Sequence, residues 1–278
     1  MRRWYIAVLG MSLLMAADAN AQFARQEVVP FESASTSVSE ILKGDRGSRI
    51  TLAGILRAPK RDGRQPVVIL MHGAAGLGIS GPLDVWSAVL SDAGIATFTV
   101  DSFAGRGANT QADVSKIHPL SRLPDAFGAY EVLAKHPLID PSNIAVMGFS
   151  HGSVAAVYSN TERFQKQFGA HVMFAAHISM YGLCGTTFRE DDRVVGRLLV
   201  LHGADDNFVP AAPCRDYVAR LQRAGAAVRM IEYAGTYHLF DGPAAGPLKV
   251  FQDRMMRAGK RGYRSATTMH LRRKPMRT

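Results

Sequence analysis

The sequence has little cysteine, and no apolar segment in its interior is long enough to cross a membrane. Among 278 residues there are two cysteines and 26 glycines, which excludes a small disulfide-rich fold and a collagen-like repeat. Hydrophobic residues make up 47% of the chain, a content that excludes a disordered protein. The length fits one large α/β domain or two small domains, and no linker or internal repeat favours two.

The positive charge is concentrated at one end of the chain. The formal net charge is +10, yet residues 249–278 hold ten Lys or Arg against a single acidic residue, Asp253. Residues 22–248 are neutral overall, so we expect no nucleic-acid partner for the body of the protein. The segment 260–278 has no apolar periodicity and is predicted to be a solvated basic tail; the alternative is an arm for nucleic acid or an anionic surface.

The first 21 residues have the pattern of a secretory signal peptide. A basic pair precedes the apolar stretch 4–17, and small residues follow at Ala19 and Ala21, as a cleavage site requires. The stretch is shorter than the ~20 residues that a spanning helix needs, although a membrane anchor or a core helix is the alternative. We therefore expect an exported, periplasmic or extracellular protein with no membrane span after cleavage.

Short apolar runs alternate with helical patterns through the body, residues 22–259. Several runs are continuous, as in strands that are covered on both faces, and the alternation predicts a mostly parallel, doubly wound α/β sheet with helices on both faces. The predicted strands are 67–71, 95–100, 144–147, 177–180, 198–201 and 228–233. The predicted helices are 83–93, 120–135, 150–160, 211–224 and a last one near 248–256. Segments 33–39 and 50–58 are predicted to form a leading antiparallel pair.

The most informative motif is G-x-S-x-G at residues 148–152, which lies between a predicted strand and a predicted helix. This context is typical of a nucleophile elbow, in which small residues let strand and helix approach while the serine Oγ projects above the sheet. Ser150 is therefore the candidate nucleophile. The alternative is a serine that only caps a helix.

A serine hydroxyl needs a base and an orienting acid, which follow it in the order acid, then histidine, in such folds. Asp205 and Asp206 both follow the strand 198–201, and the pattern leaves open which of them is the acid. His238 follows the strand 228–233 and is the candidate base. The other acids lie farther from predicted strand ends: Asp191, Asp192 and Asp241.

The small residues after the strand 67–71 suit an oxyanion hole. The amide of Ala74 and the amide of His151, next after the candidate nucleophile, would hold the oxyanion. His72 is expected to be structural. The other histidines considered are His118, His136, His171 and His177. None of them has metal-ligand spacing with the cysteines, so we expect neither a metal nor an organic cofactor.

Several motifs together resemble the dienelactone hydrolase family of α/β-hydrolases, over about residues 40 to 245. They are His72-Gly73-x-x-Gly76, Asp101-Ser102-Phe103-x-x-Arg106-Gly107, Gly148-Phe149-Ser150-His151-Gly152, Gly203-x-x-Asp206-x-x-x-Pro210-Ala211 and Tyr237-His238-x-Phe240-Asp241. The resemblance implies an α/β-hydrolase fold with Ser150 as nucleophile, Asp206 as acid and His238 as base. Ser150 stands where the enzyme that names the family has a cysteine. A serine at this position resembles the nucleophile of an ordinary esterase.

Two further expectations concern Arg106 and the cysteines. Arg106 follows a predicted strand and could bind a substrate carboxylate; the alternative is a structural contact with Asp101 or a loop carbonyl. Cys184 and Cys214 lie on neighbouring connections, and export together with the family resemblance implies a disulfide, with two free thiols as the alternative.

These features predict a secreted serine hydrolase that cleaves small carboxylic esters or lactones through an acyl-enzyme. The alternatives are a non-catalytic binding protein on the same scaffold, and an amidase or peptidase with the same three residues.

Overall fold

The computed structural model describes residues 23–79, 81–186, 188, 193–241, 249–251 and 263–265. Its strands are β1 (Arg25–Ser35), β2 (Ser48–Ala58), β3 (Gln65–Met71), β4 (Ala96–Asp101), β5 (Ile139–Phe149), β6 (His177–Met180), β7 (Leu198–Gly203), β8 (Val228–Tyr233), β9 (Lys249–Phe251) and β10 (Tyr263–Ser265). The first eight form one sheet in the order β1-β2-β4-β3-β5-β6-β7-β8. The pairings β1–β2 and β2–β4 are antiparallel, and the others are parallel.

The helices lie between the strands, as expected for parallel crossovers. They are α1 (Val38–Lys43), α2 (Gly81–Asp92), α3 (Gln111–Val114), α4 (Leu123–Ala134), α5 (Ser153–Tyr158), α6 (Glu162–Phe168) and α7 (Ala212–Arg223). The arrangement confirms the predicted α/β-hydrolase fold. Turns of 3-10 helix precede α4 and α5, at Pro119–Arg122 and Ser150–Gly152. No helix among the described residues is long and apolar enough to span a membrane.

Strand β3 shows why the central apolar runs are continuous. Ile69 and Met71 pack into the core that holds α4, whereas Val68 and Leu70 pack on the other face, with Leu83 of α2. Both faces of the strand are therefore buried, and successive side chains supply opposite layers of the core. Because β3 to β8 run parallel, their carboxyl ends lie at one edge of the sheet.

The structure confirms the predicted leading antiparallel pair but moves its first strand. β1 begins at Arg25 rather than at residue 33 and ends at Ser35 rather than at residue 39, because Ser37 is the N-cap of helix α1. The Ser37 side chain accepts from the Glu40 amide, and the Glu40 carboxylate accepts from the Ser37 amide. This reciprocal capping box satisfies two donors at the start of the helix and stops the strand.

The predicted last helix is wrong over Lys249–Phe251, which forms β9 and pairs antiparallel with β10. Tyr263–Ser265, expected within a solvated tail, forms that second strand. The β-branched and aromatic residues Val250 and Phe251 favour a strand more than the helical spacing indicated. The rest of the predicted helix and tail, and the predicted signal peptide, lie outside the described residues.

Candidate active site

Ser150 lies at the carboxyl end of β5 in a turn with almost no free space. Its backbone φ is +49°, a left-handed conformation that is uncommon outside glycine. A Cβ at Gly148 would lie 2.3 Å from the Gly152 carbonyl oxygen, and one at Gly152 would lie 2.2 Å from the Met71 carbonyl oxygen. Both glycines are therefore required by the contact between strand and turn, as the motif predicts.

Ser150, His238 and Asp206 form a continuous hydrogen-bond chain. The Ser150 Oγ lies 2.9 Å from His238 Nε2, and His238 Nδ1 donates to Asp206 Oδ2 over 2.8 Å. His238 and Asp206 are both buried, whereas Asp205 is exposed. The structure thus places Asp206, and not its neighbour, against the histidine.

The Asp206 carboxylate is held by its own loop. Oδ1 accepts from the Phe208 and Val209 amides, at 3.0 and 2.8 Å. The fully buried His202 donates from Nε2 to the Val209 carbonyl over 2.8 Å, and the same nitrogen lies 3.5 Å from Asp206 Oδ2. Burial lowers the pKa of His202, which keeps this ring neutral beside the carboxylate.

Aromatic side chains enclose His238 and shield its bond to Asp206. The rings of Tyr181 and Phe208 lie edge-on to the imidazole, with centroids 4.8 and 5.0 Å away. Behind Tyr181 lies Asp241, one of the remote candidate acids. It accepts from Trp86 Nε1 over 2.7 Å, and burial raises its pKa.

The loop after β3 lies directly beside Ser150. A Cβ at Gly73 would lie 3.6 Å from both the Ser150 Cβ and the Phe149 carbonyl oxygen, so Ala74, the next residue, is close to the serine. His72 anchors this loop: Nδ1 donates to the Gly73 carbonyl over 2.7 Å, and Nε2 accepts from the Ser102 amide over 3.1 Å. Burial holds the pKa of His72 well below its usual value, consistent with a structural role.

A buried arginine that the sequence patterns did not single out joins this loop to the serine turn. Arg122 Nη1 donates to the His72 carbonyl over 2.7 Å and to His151 Nδ1 over 3.1 Å, and the guanidinium stacks 5.1 Å above the Phe103 ring. Its Nε and Nη2 have no hydrogen-bond partner among the described residues. Burial lowers the pKa of Arg122 to about 10 and that of His151 to about 3. The one available signal was a basic residue inside the apolar pattern 120–135.

Arg106 does not offer its guanidinium to the site. Nη1 and Nη2 bind the two oxygens of buried Asp125, at 3.0 and 2.7 Å, and also donate to the Ser102 and Ala34 carbonyls. Only 7% of the Arg106 side chain is exposed. The substrate-carboxylate contact is therefore wrong, and the alternative of a structural contact holds through the Ser102 loop carbonyl, with Asp125 rather than Asp101 as the ion-pair partner.

Cys184 and Cys214 form a disulfide, with Cα atoms 4.8 Å apart. The bond joins the loop after β6 to the first turn of α7, the helix that follows the Asp206 loop. Asp191 and Asp192 lie outside the described residues. Within the described part of the chain, no group of three or more His, Cys, Asp or Glu side chains could hold a metal ion.

The sequence profile of the dienelactone hydrolase family matches residues 52–267. The chain belongs to the dienelactone hydrolase family. This assignment agrees with the fold and with the elbow context of Ser150. No curated protein sequence matches significantly.

Solved structures similar to this family member share its fold. One is a dienelactone hydrolase-like promiscuous phosphotriesterase from metagenomic libraries: 19% identity, 80% of this chain and 87% of that one covered, TM-score 0.55. Another is a propionate-bound thermophilic esterase from Thermogutta terrifontis: 16% identity, 71% and 83% covered, TM-score 0.56. Esterase 2 of that organism, phosphorylated by paraoxon, has 15% identity, 81% and 88% covered, and TM-score 0.56.

Proposed function

We propose that this dienelactone hydrolase family member is a serine esterase that cleaves small carboxylic esters or lactones through an acyl-enzyme. The single observation that carries the proposal is the chain of hydrogen bonds from Ser150 through His238 to Asp206. Its order and spacing match what proton transfer from a serine hydroxyl to a buried imidazole requires.

In the proposed reaction, Ser150 Oγ attacks the acyl carbon while His238 Nε2 accepts the hydroxyl proton. Asp206 fixes the tautomer of His238 and stabilises the imidazolium that forms. The Ala74 and His151 amides hold the oxyanion, a role supported by the contact distance between Gly73 and Ser150. His238 then protonates the leaving alcohol, and a water activated by the same imidazole releases the acid and restores Ser150.

We also propose that the protein is exported. The signal-like pattern of residues 1–21 supports this, and so does the disulfide, since disulfides persist mainly in oxidising compartments. Fractionation of the native host, with N-terminal sequencing of the recovered protein, tests it; a cytoplasmic chain that retains residues 1–21 would contradict export.

The decisive experiment measures 4-nitrophenyl butyrate hydrolysis and fluorophosphonate labelling for the wild type and Ser150→Ala. We expect both signals in the wild type and a loss of turnover on the order of 10⁶-fold in the variant. Ser48→Ala, at an exposed serine at the start of β2, is the control and should match the wild type. A folded wild type that neither labels nor turns over esters, beside a competent reference esterase, would favour a binding protein instead.

A further inference from the structure

A cavity of about 370 Å³ borders the loop that carries Ala74. We propose that this cavity receives one end of the substrate, and that Asp101 makes it favour neutral or cationic groups over anionic ones. The inference rests on the proposed esterase function and names the substrate class that the site accepts.

Two of the segments that line the cavity also lie beside the candidate active site. The loop after β3 forms one wall, the residues after β4 form the second, and the segment around α3 forms the third. Ala74 belongs to the first wall, and a Cβ on the preceding Gly73 would lie 3.6 Å from the Ser150 Cβ. Phe103 belongs to the second wall, and its ring lies 6.3 Å from the His151 ring. A group attached to an acyl carbon at Ser150 is therefore within reach of this space.

Asp101 is the one charged side chain in the described lining. The rest is apolar or uncharged and polar, and includes Ala74, Leu77, Phe103 and Thr110. Asp101 is half-buried at the end of β4, and its Oδ1 accepts from the Phe103 and Ala104 amides, at 2.9 and 3.0 Å. These two bonds fix the carboxylate in place, so its charge acts on a bound group from a constant position.

Nearby cations offset this charge only in part at the cavity wall. Arg106, on the same loop, is turned inward and bound by Asp125. Arg122 attracts the Asp101 carboxylate, but it is completely buried against the Phe103 ring and does not line the cavity. Lys116 is exposed and pairs with Asp113 over 3.2 Å. The described surface of the cavity is therefore acidic, the opposite of a carboxylate-binding pocket.

Coulomb's law gives the expected size of the effect. If a charged substrate group sits about 7 Å from the Asp101 carboxylate, in a medium between protein and water, the interaction corresponds to roughly a five- to tenfold change in rate. Salt should reduce it, because partly exposed charges are screened.

The test compares kcat/KM for three 4-nitrophenyl esters with acyl chains of equal length, ending in methyl, carboxylate or trimethylammonium. A second set places the same groups on the alcohol. In at least one set, we expect the wild type to disfavour the anion about five- to tenfold against the neutral ester. Asp101→Asn, which keeps the Oδ1 acceptor, should remove that difference and weaken any preference for the cation. Asp62→Asn, at an exposed position in the turn before β3, makes the same change in net charge and should leave the ratios unchanged.

Equal ratios in wild type and Asp101→Asn, or a wild type that prefers the anion, would overturn the proposal. A binding measurement separates this from failure of the esterase function. Dissociation constants of phenylacetate and of benzyltrimethylammonium for Ser150→Ala, with and without Asp101→Asn, need no turnover. A cation preference that Asp101→Asn abolishes would support the acidic cavity even if no ester were cleaved. Turnover without any charge preference would support the esterase and refute the cavity.

Discussion

The two sides of the candidate active site are held in place by different means. The serine turn, residues 148–152, is fixed by the backbone: two glycines in close contact and a positive φ at Ser150. The acid–base side, Asp206 and His238, is fixed by side-chain hydrogen bonds on two separate loops, and a disulfide ties the helix after the Asp206 loop to its neighbour. One side depends on the absence of Cβ atoms, and the other depends on polar partners that meet only in the folded chain.

Each side is therefore sensitive to a different kind of substitution. A backbone that has no room for a side chain responds to added volume, because the interior cannot expand locally without cost. A hydrogen-bonded acid and base respond to the loss of one polar atom, because the partner stays buried and is left in the wrong state. Substitutions that add volume and substitutions that remove one polar atom therefore test the two sides separately.

Asp206→Asn should lower kcat for ester hydrolysis by on the order of 10⁴-fold, since the amide favours the wrong tautomer of His238. Asp205→Asn, at the exposed neighbouring position, is the matched control and should change kcat less than threefold. Steady-state kinetics on 4-nitrophenyl butyrate measures both. The reverse ranking would show that the structure assigns the wrong acid.

Gly152→Ala should destabilise the fold by about 4 kcal/mol or more, because its Cβ would meet the Met71 carbonyl oxygen of a central strand. Gly185→Ala is the control: its Cβ would meet only one side-chain atom, at 3.9 Å. Urea unfolding monitored by circular dichroism compares the two variants. Equal stability in both would mean that the serine turn is not limited by backbone contact.

The serine side could be predicted from sequence because its constraint is local. Gly148, Ser150 and Gly152 lie within five consecutive residues, and the strand before them has a clear apolar pattern. His238 follows a predicted strand end, so the order of elements was sufficient to find it. The local pattern left Asp205 and Asp206 open, and only the family resemblance implied Asp206. Burial and a partner on another loop distinguish the two carboxylates, and neighbouring residues in the chain do not specify either.

The contacts of Arg106 and Arg122 could not be predicted from the sequence, for the same physical reason. The partner of Arg106 is Asp125, within a segment predicted as a helix whose neighbours are mainly apolar, and nothing local indicates that the two side chains meet. Arg122 contacts His72 and His151, 50 and 29 positions away in the chain. Long-range polar contacts of this kind depend on the packing of whole elements, and hydrophobic periodicity does not report them.

Removing the disulfide with Cys184→Ser and Cys214→Ser together should lower the unfolding free energy by about 3.6 kcal/mol in the chain-entropy model, for a sequence separation of 30 residues. The hydrogen bonds that join Ser150, His238 and Asp206 remain, so kcat at 25 °C should change little. Denaturant titration and steady-state kinetics on the same preparation measure the two effects. A large loss of kcat with unchanged stability would show that the bond positions the acid rather than stabilising the fold.

Arg122→Met should lower kcat about tenfold with little change in KM, because it releases the His72 carbonyl and the His151 ring, which flank the two proposed oxyanion amides. Arg122→Lys, which keeps the charge and one donor, should recover part of the loss. Kinetics on a neutral ester separates kcat from KM. A change in KM alone would indicate that Arg122 shapes substrate binding and not the oxyanion loops.

The serine turn also links stability to pH, through the side chain of His151. Burial, reinforced by Arg122, lowers the pKa of His151 to about 3, while the unfolded chain titrates near its ordinary value of 6.5. Between these values the unfolded state binds a proton that the folded state does not. The stabilisation by this group is therefore complete above pH 6.5 and falls as the pH drops, by about 1.4 kcal/mol per unit.

Unfolding free energies at pH 7, 6 and 5 measure this slope in the wild type and in His151→Asn. In that interval, we expect the unfolding free energy of the variant to change less steeply with pH, by up to about 1.4 kcal/mol per pH unit. His171→Asn removes an exposed imidazole that contacts Glu131 and should leave the slope nearly unchanged. If His151→Asn and His171→Asn alter the slope equally, the neutral buried imidazole is not what links the serine turn to acid stability.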